Sequence, residues 1–204
     1  MSKRLVTLLS VLAVLGFAVI AVVAYGVTTY DRYRVPSESM APGTGVGTRV
    51  ALNRRAYSGD ARPALGDIVI FHPPAGAETN ACGSGPLPAG EMCATPTDER
   101  SEVKFIKRVV AGPGDRVAMA EGGLVVRNGK RMDEPYVADC GQGYSQDACT
   151  FPAEITVPAD HYLMLGDNRG SSDDSRFWGP VPEDWILGRV EDCTLLIARC
   201  SPRR

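Results

Sequence analysis

Hydrophobic and polar positions follow two different patterns along this chain. Residues 5–27 form an apolar run of 23 residues without one charged side chain. Coiled as a helix at about 1.5 Å per residue it reaches roughly 34 Å, enough to cross a hydrocarbon core of about 30 Å. A cleaved secretory signal is the competing reading, because Lys3 and Arg4 supply a basic start. The apolar part of such a signal usually runs about 7–15 residues, so the longer run here predicts a lasting transmembrane helix. That divides the chain into residues 1–4 on the cytoplasmic side, a span over 5–27 and a domain over 28–204.

Beyond the span the pattern is one of short strands and turns. Asp67-Ile68-Val69-Ile70-Phe71 is nearly continuous apolar sequence, as in a strand covered on both faces. Residues 103–110 are rich in branched and aromatic side chains and end at Gly112-Pro113-Gly114-Asp115, a strong turn signal. Leu124-Val125-Val126-Arg127, Asn128-Gly129 and Lys130-Arg131-Met132 read as a hairpin with a type I′ turn. Residues 162–165 and 194–198 complete the clear strands. Segments 73–102 and 139–150 have loop composition and read as insertions. The fold class expected is mostly β, behind one N-terminal helix.

Composition excludes some alternatives. With 44% hydrophobic and 23% charged residues the chain is neither disordered nor collagen-like. A net charge of −2 provides no general basic field for nucleic acid. Basic residues do not orient the span, since Lys3 and Arg4 precede it and Arg32 and Arg34 follow it. The six cysteines, at 82, 93, 140, 149, 193 and 200, include no Cys-x-x-Cys pair, and only two histidines accompany them. That fits disulfides better than a zinc site or six free thiols, and disulfides persist outside the cytosol. Proximity favours Cys82–Cys93 and Cys140–Cys149. If 194–198 is extended, Cys193 and Cys200 stand about 23 Å apart at roughly 3.3 Å per residue, too far to bond directly, so their pairing stays open.

Three segments could carry chemistry. In Val35-Pro36-Ser37-Glu38-Ser39-Met40-Ala41-Pro42-Gly43 two prolines stiffen the backbone around two hydroxyls, as a nucleophile mount or a plain linker would require. A serine needs a base, and neither His72 nor His161 lies beside an acid in a recognisable pattern. Lysine is the other candidate. Strand alternation puts Lys107 on the face of Phe105 and Val109, where an amine loses hydration and its pKa falls toward that of a general base. Lys104 and Arg108 lie on the opposite face and read as solvated or ion-paired. The third segment, 166–180, packs acids, hydroxyls and arginines into a turn after a strand.

Taken together these segments carry a resemblance. Ser-x-Ser-Met-x-Pro, Gly-Asp-Ile-Val-x-Phe, Phe-Ile-Lys-Arg-Val-Val-x-x-Pro-Gly-Asp and Gly-Asp-Asn-Arg-x-x-Ser-x-Asp-Ser-Arg follow one another in the order seen in bacterial type I signal peptidases, behind an N-terminal anchor. The resemblance implies a signal-peptidase-like β domain of coiled antiparallel sheets with disulfide-closed loop insertions. It implies a Ser–Lys endopeptidase that cleaves signal peptides from exported preproteins after small residues. Ser39 would be the nucleophile and Lys107 the general base. Ser172 would orient the lysine amine, and the Ser39 N–H and Ser37 hydroxyl would form the oxyanion hole. Arg108, Asp167, Asp174 and Arg176 would support the site, while Pro36, Met40 and Ile106 would line the substrate pocket. No cofactor or metal is implied. The partners implied are preprotein signal peptides, the lipid bilayer and the secretion translocon, not nucleic acid. The location implied is the plasma membrane, with the catalytic domain on the extracytoplasmic side. Gly43 departs from the family, which often has threonine there. Two alternatives stand beside this reading: a Ser–Lys protease specialised for pilin, conjugation or self-cleavage, and an inactive anchored β-domain that binds secreted chains.

Overall fold

The computed structural model describes residues 3–138, 140, 149–193 and 200–202. The apolar run is a single helix, α1 (Lys3–Thr29), whose side chains are exposed almost to its last residue. Its 27 residues, with an 18-residue stretch of mean hydropathy 2.8, make it long and apolar enough to cross a membrane. No linker follows it. Strand β1 (Tyr30–Arg34) begins at the next residue and pairs antiparallel with β2 (Arg49–Asn53). Arg54 ties the joint together: its guanidinium donates to the Thr28 carbonyl at 2.9 Å and lies 3.5 Å from Asp31, and its N–H donates to the Thr29 carbonyl at 3.0 Å. The helix end therefore finds donors for carbonyls that would otherwise lack intrahelical partners.

The remaining strands form two antiparallel sheets. The larger contains β1, β2, β3 (Ile68–Phe71), β4 (Phe105–Ala111), β9 (His161–Leu165), β10 (Val181–Pro182), β11 (Ile186–Cys193) and β12 (Cys200–Pro202). Its order is β1-β2-β11-β3-β4-β9-β10, with β12 on β11. The smaller sheet contains β5 (Arg116–Ala120), β6 (Leu124–Arg127), β7 (Lys130–Arg131) and β8 (Phe151–Thr156), in the order β7-β6-β5-β8. The Gly112–Asp115 turn carries the chain from one sheet to the other; the Asp115 carboxylate accepts the Gly112 N–H at 3.0 Å, and Gly114 supplies the positive φ of 79°. Asn128 and Gly129 both have positive φ, 53° and 77°, as the expected I′ turn requires.

β3 is buried on both faces, which explains its unbroken apolar sequence. Ile68 and Ile70 join Val35, Met40, Val50, Leu52, Ile106 and Val190 on one side. Val69 and Phe71 join Val109, Tyr162, Met164, Trp178 and Val181 on the other. A third cluster fills the space between the sheets, with Val110, Leu163 and Leu165 from the larger and Val117, Met119, Val125, Phe151 and Ile155 from the smaller.

The 73–102 segment is fastened to the domain. A bridge between Pro74 and Arg100 closes its base, Met92 is buried in the inter-sheet cluster, and Cys93 N–H donates to the Arg176 carbonyl at 2.9 Å. The disulfide Cys82–Cys93 crosses it with 5.7 Å between Cα atoms, and Cys140–Cys149 closes the second insertion. These are the two pairs that proximity favoured. A Cys82→Ser/Cys93→Ser variant is expected to lose about 3 kcal/mol of stability, from the entropy that so short a cross-link removes from the unfolded chain; chemical denaturation measures it.

Two expectations change or fall outside the description. The predicted strand at 194–198 and most of 139–150 lie outside the described residues. The register of β11 with β12 sets Cys193 directly opposite Cys200. The 23 Å separation expected for a straight strand between them therefore does not apply, because β11 and β12 pair antiparallel with these two residues in register.

Candidate active site

The site forms where the β4–β9 ladder ends. Arg108 pairs with Leu165 and Val109 with Met164, so the next residues along the two chains are Lys107 and Gly166. Gly166 has to be glycine: a Cβ there would overlap both the Ser172 hydroxyl and the Ser39 carbonyl oxygen. The missing side chain lets three segments close on one another, namely the turn after β1, the end of β9 and the chain around Ser172. Ser39, Lys107 and Ser172 are all buried.

The turn bearing Ser39 is held by Ala41 N–H to the Glu38 carbonyl at 2.9 Å and by Thr44 N–H to the Met40 carbonyl at 2.8 Å. Asn168 N–H donates to the Ser39 carbonyl at 3.0 Å. The Ser37 hydroxyl donates to the Ser39 hydroxyl at 3.2 Å, which sets two oxygens side by side. At Gly43, the departure from the family pattern, a Cβ would meet nothing closer than Asp167 Oδ2 at 3.8 Å, so a Cβ is accommodated there.

Lys107 is 4% exposed, and its Nζ lies 5.7 Å from the centre of the Phe105 ring. Among the described residues its ammonium makes no ion pair and no hydrogen bond. Burial is the main influence on it and lowers its pKa from 10.5 to about 8, against the opposing pull of Asp174. The Ser172 hydroxyl is also buried and has no hydrogen-bond partner among the described residues.

Around these groups lie three buried ion pairs. Arg108 is bidentate on Asp167 at 2.8 and 2.6 Å, donates to the Gly66 carbonyl at 2.9 Å and stacks on the Tyr136 ring. The sequence left Arg108 either solvated or paired; it is paired and 2% exposed. Arg176 is bidentate on Asp174 at 2.7 and 2.9 Å and donates to the carbonyls of Arg169 and Ser172. Burial alone would raise the Asp174 carboxyl, but the Arg176 charge and hydrogen bonds outweigh it, with help from Lys107 and the Gly166 N–H, and hold it below the usual range. The third pair was not foreseen. Arg169 reaches Glu134 at 2.6 Å and donates to the carbonyls of Gly166 and Gly123, while Glu134 also accepts the Val125 N–H at 2.8 Å. It bolts the smaller sheet to the site loop. Arg169 stood in a recognised motif, but nothing in the sequence marks Glu134 as its partner.

Of the expected pocket residues, Met40 and Ile106 share one apolar cluster beneath the site, whereas Pro36 is on the surface. Met40 is completely buried.

The family model described as "Signal peptidase, peptidase S26" matches residues 8–194. The chain belongs to this family. Among curated relatives, the "Probable signal peptidase I-2" of Synechocystis sp. is 34% identical over 83% of this chain and 66% of its own length, so the chain spans slightly under two thirds of that relative. The "Signal peptidase I" of Leptolyngbya laminosa is 36% identical over 83% of this chain and 71% of its own. The "Signal peptidase IB" of Staphylococcus aureus is 31% identical over 93% of this chain and 89% of its own. A crystal structure of a signal peptidase I from Enterococcus faecalis V583 aligns at 25% identity over 63% of this chain and 96% of that one, with a TM-score of 0.41. The type I signal peptidase resemblance read from four ordered segments thus agrees with the family match over most of the chain.

Proposed function

We propose that the chain is a serine endopeptidase that removes signal peptides from exported preproteins, with Ser39 as nucleophile and Lys107 as general base. The observation that carries this is a lysine amine buried with no ion-pair partner among the described residues, on the strand that meets Gly166, where Ser39 and Ser172 converge. A structural lysine at such a site would normally be paired or would extend to water.

In the mechanism, neutral Lys107 takes the proton of the Ser39 hydroxyl as its oxygen bonds to the scissile carbonyl carbon. The oxyanion formed accepts hydrogen bonds from the Ser39 N–H and the Ser37 hydroxyl. Each such donor typically contributes about 3–4 kcal/mol to the transition state. As the intermediate collapses, the ammonium of Lys107 returns its proton to the leaving amine, and an acyl-enzyme remains. Lys107 then takes a proton from a water, whose oxygen attacks the ester carbonyl; as that intermediate collapses the acyl C–O bond breaks, and the Lys107 ammonium returns the proton to the Ser39 oxygen. Ser172, whose buried hydroxyl has no partner among the described residues, would orient the amine during these transfers.

Shallow apolar subsites that include Ile106 suit the small residues of A-x-A cleavage sites, and an extended substrate can add to a sheet edge. In this reading α1 lies in the plasma membrane with residues 1–4 in the cytoplasm. The domain works on the outer face, beside the bilayer and the translocon that delivers the preprotein.

The test is the full chain in lipid vesicles acting on a preprotein with an A-x-A site. Cleavage after the small residue is expected. Because Lys107 must be neutral to accept a proton, kcat/KM is expected to rise with pH through about 8 and level off above it. A midpoint near the usual lysine value, or no rise, would overturn the dyad.

A further inference from the structure

We infer that Asn168 is a positioning residue that orients the Glu38–Ser39 peptide and so aims the Ser39 N–H at the developing oxyanion. The inference deepens the proposed function and rests on Ser39 being the nucleophile.

A peptide unit is planar and trans, so its C=O and N–H point in opposite directions. Holding the Glu38 carbonyl therefore fixes where the Ser39 N–H points. Glu38 O accepts two hydrogen bonds, from Ala41 N–H at 2.9 Å and from the Asn168 side-chain amide at 3.3 Å. The following carbonyl, Ser39 O, accepts the Asn168 N–H at 3.0 Å. One residue thus grips the carbonyls on both sides of the Ser39 Cα, through its side chain and its main chain. Among the described residues the Ser39 N–H itself donates to nothing, which leaves it available to a substrate oxygen. Accepting bonds at the carbonyl also polarises the amide and strengthens its N–H as a donor. Asn168 is fastened in turn: its neighbours Asp167 and Arg169 are locked in buried ion pairs, with Arg108 and Glu134 respectively. The side chain can be removed without losing the Asn168 N–H bond or the Ala41 bond, so its contribution is separable from the fold of the turn.

Removing an oxyanion donor outright costs about 10²–10³-fold in kcat; loosening one that is still present should cost about tenfold. Asn168→Ala in the full chain is expected to lower kcat by that amount with KM unchanged. The pH midpoint should be that of the unaltered chain, because the lysine is untouched, and thermal unfolding should match as well. Asn168→Asp has nearly the same shape but turns an acceptor toward the Glu38 carbonyl, and is expected to lose more than the alanine variant. An alanine variant with unaltered kcat overturns the inference. So does a loss carried by KM, by a moved pH midpoint or by reduced thermal stability in both variants, since each would show a different or merely structural role. Ser39→Ala, measured in parallel, separates the two levels: if it still cleaves, the nucleophile assignment falls, whereas an inactive Ser39→Ala beside a fully active Asn168→Ala overturns this inference alone.

Discussion

Lys107→Met is expected to abolish preprotein cleavage while the domain stays folded. Methionine fills nearly the volume of the lysine stem and carries no charge into the apolar site beside Phe105, so packing is conserved. Stability should hold or rise slightly, because the cost of keeping an amine out of water disappears. Catalysis should fall by at least about 10⁴-fold, as it does when the base is taken from a serine nucleophile elsewhere. Steady-state cleavage paired with thermal unfolding makes the measurement. An unaltered melting curve with a rate within tenfold of the parent would mean that another group deprotonates Ser39.

Asp174→Ala is expected to have the opposite profile and damage the fold first. Asp174 and Arg176 are both fully buried, so losing the carboxylate strands a guanidinium without its partner. Breaking such a pair typically costs about 3–5 kcal/mol, which at about 2–4 °C per kcal/mol for a chain of this size lowers Tm by roughly 10 °C. The Gly166 N–H would lose its acceptor and the short helix α2 (Ser175–Trp178) its N-terminal cap. Residual activity should show a pH midpoint below about 8, because Asp174 opposes the lowering of the Lys107 pKa. Replacing both partners with apolar residues could recover stability. It should not recover activity, since Arg176 also holds the carbonyls of Ser172 and Arg169.

The elements legible in the sequence were those whose neighbours impose a simple pattern. β3 was visible because both of its faces are covered, the β6–β7 hairpin because Asn-Gly suits only a few turns, and α1 because nothing polar interrupts it. β1 was missed because its sequence, Tyr-Asp-Arg-Tyr-Arg, is that of a charged edge strand, which resists unwanted pairing but carries little apolar signal. β11 was missed because it bends at Gly188, where a Cβ would collide with the Asn53 carbonyl. At the site, alternation placed Lys107 among apolar neighbours correctly. It could not reveal that Gly166 is the point of convergence, or that Glu134 holds Arg169, because both depend on contacts between residues far apart along the chain. The opposition of Cys193 and Cys200 was hidden for a related reason: a strand reading assumes the chain runs straight.

The absence of a linker between α1 and β1 limits where the proposed site can work. With α1 embedded as proposed, the Arg54 clamp leaves the site no leash on which to swing, and its height above the lipid becomes a fixed dimension of the molecule. A preprotein would then be measured as well as read: bonds surfacing at that height are cut, and identical ones presented farther out are passed over.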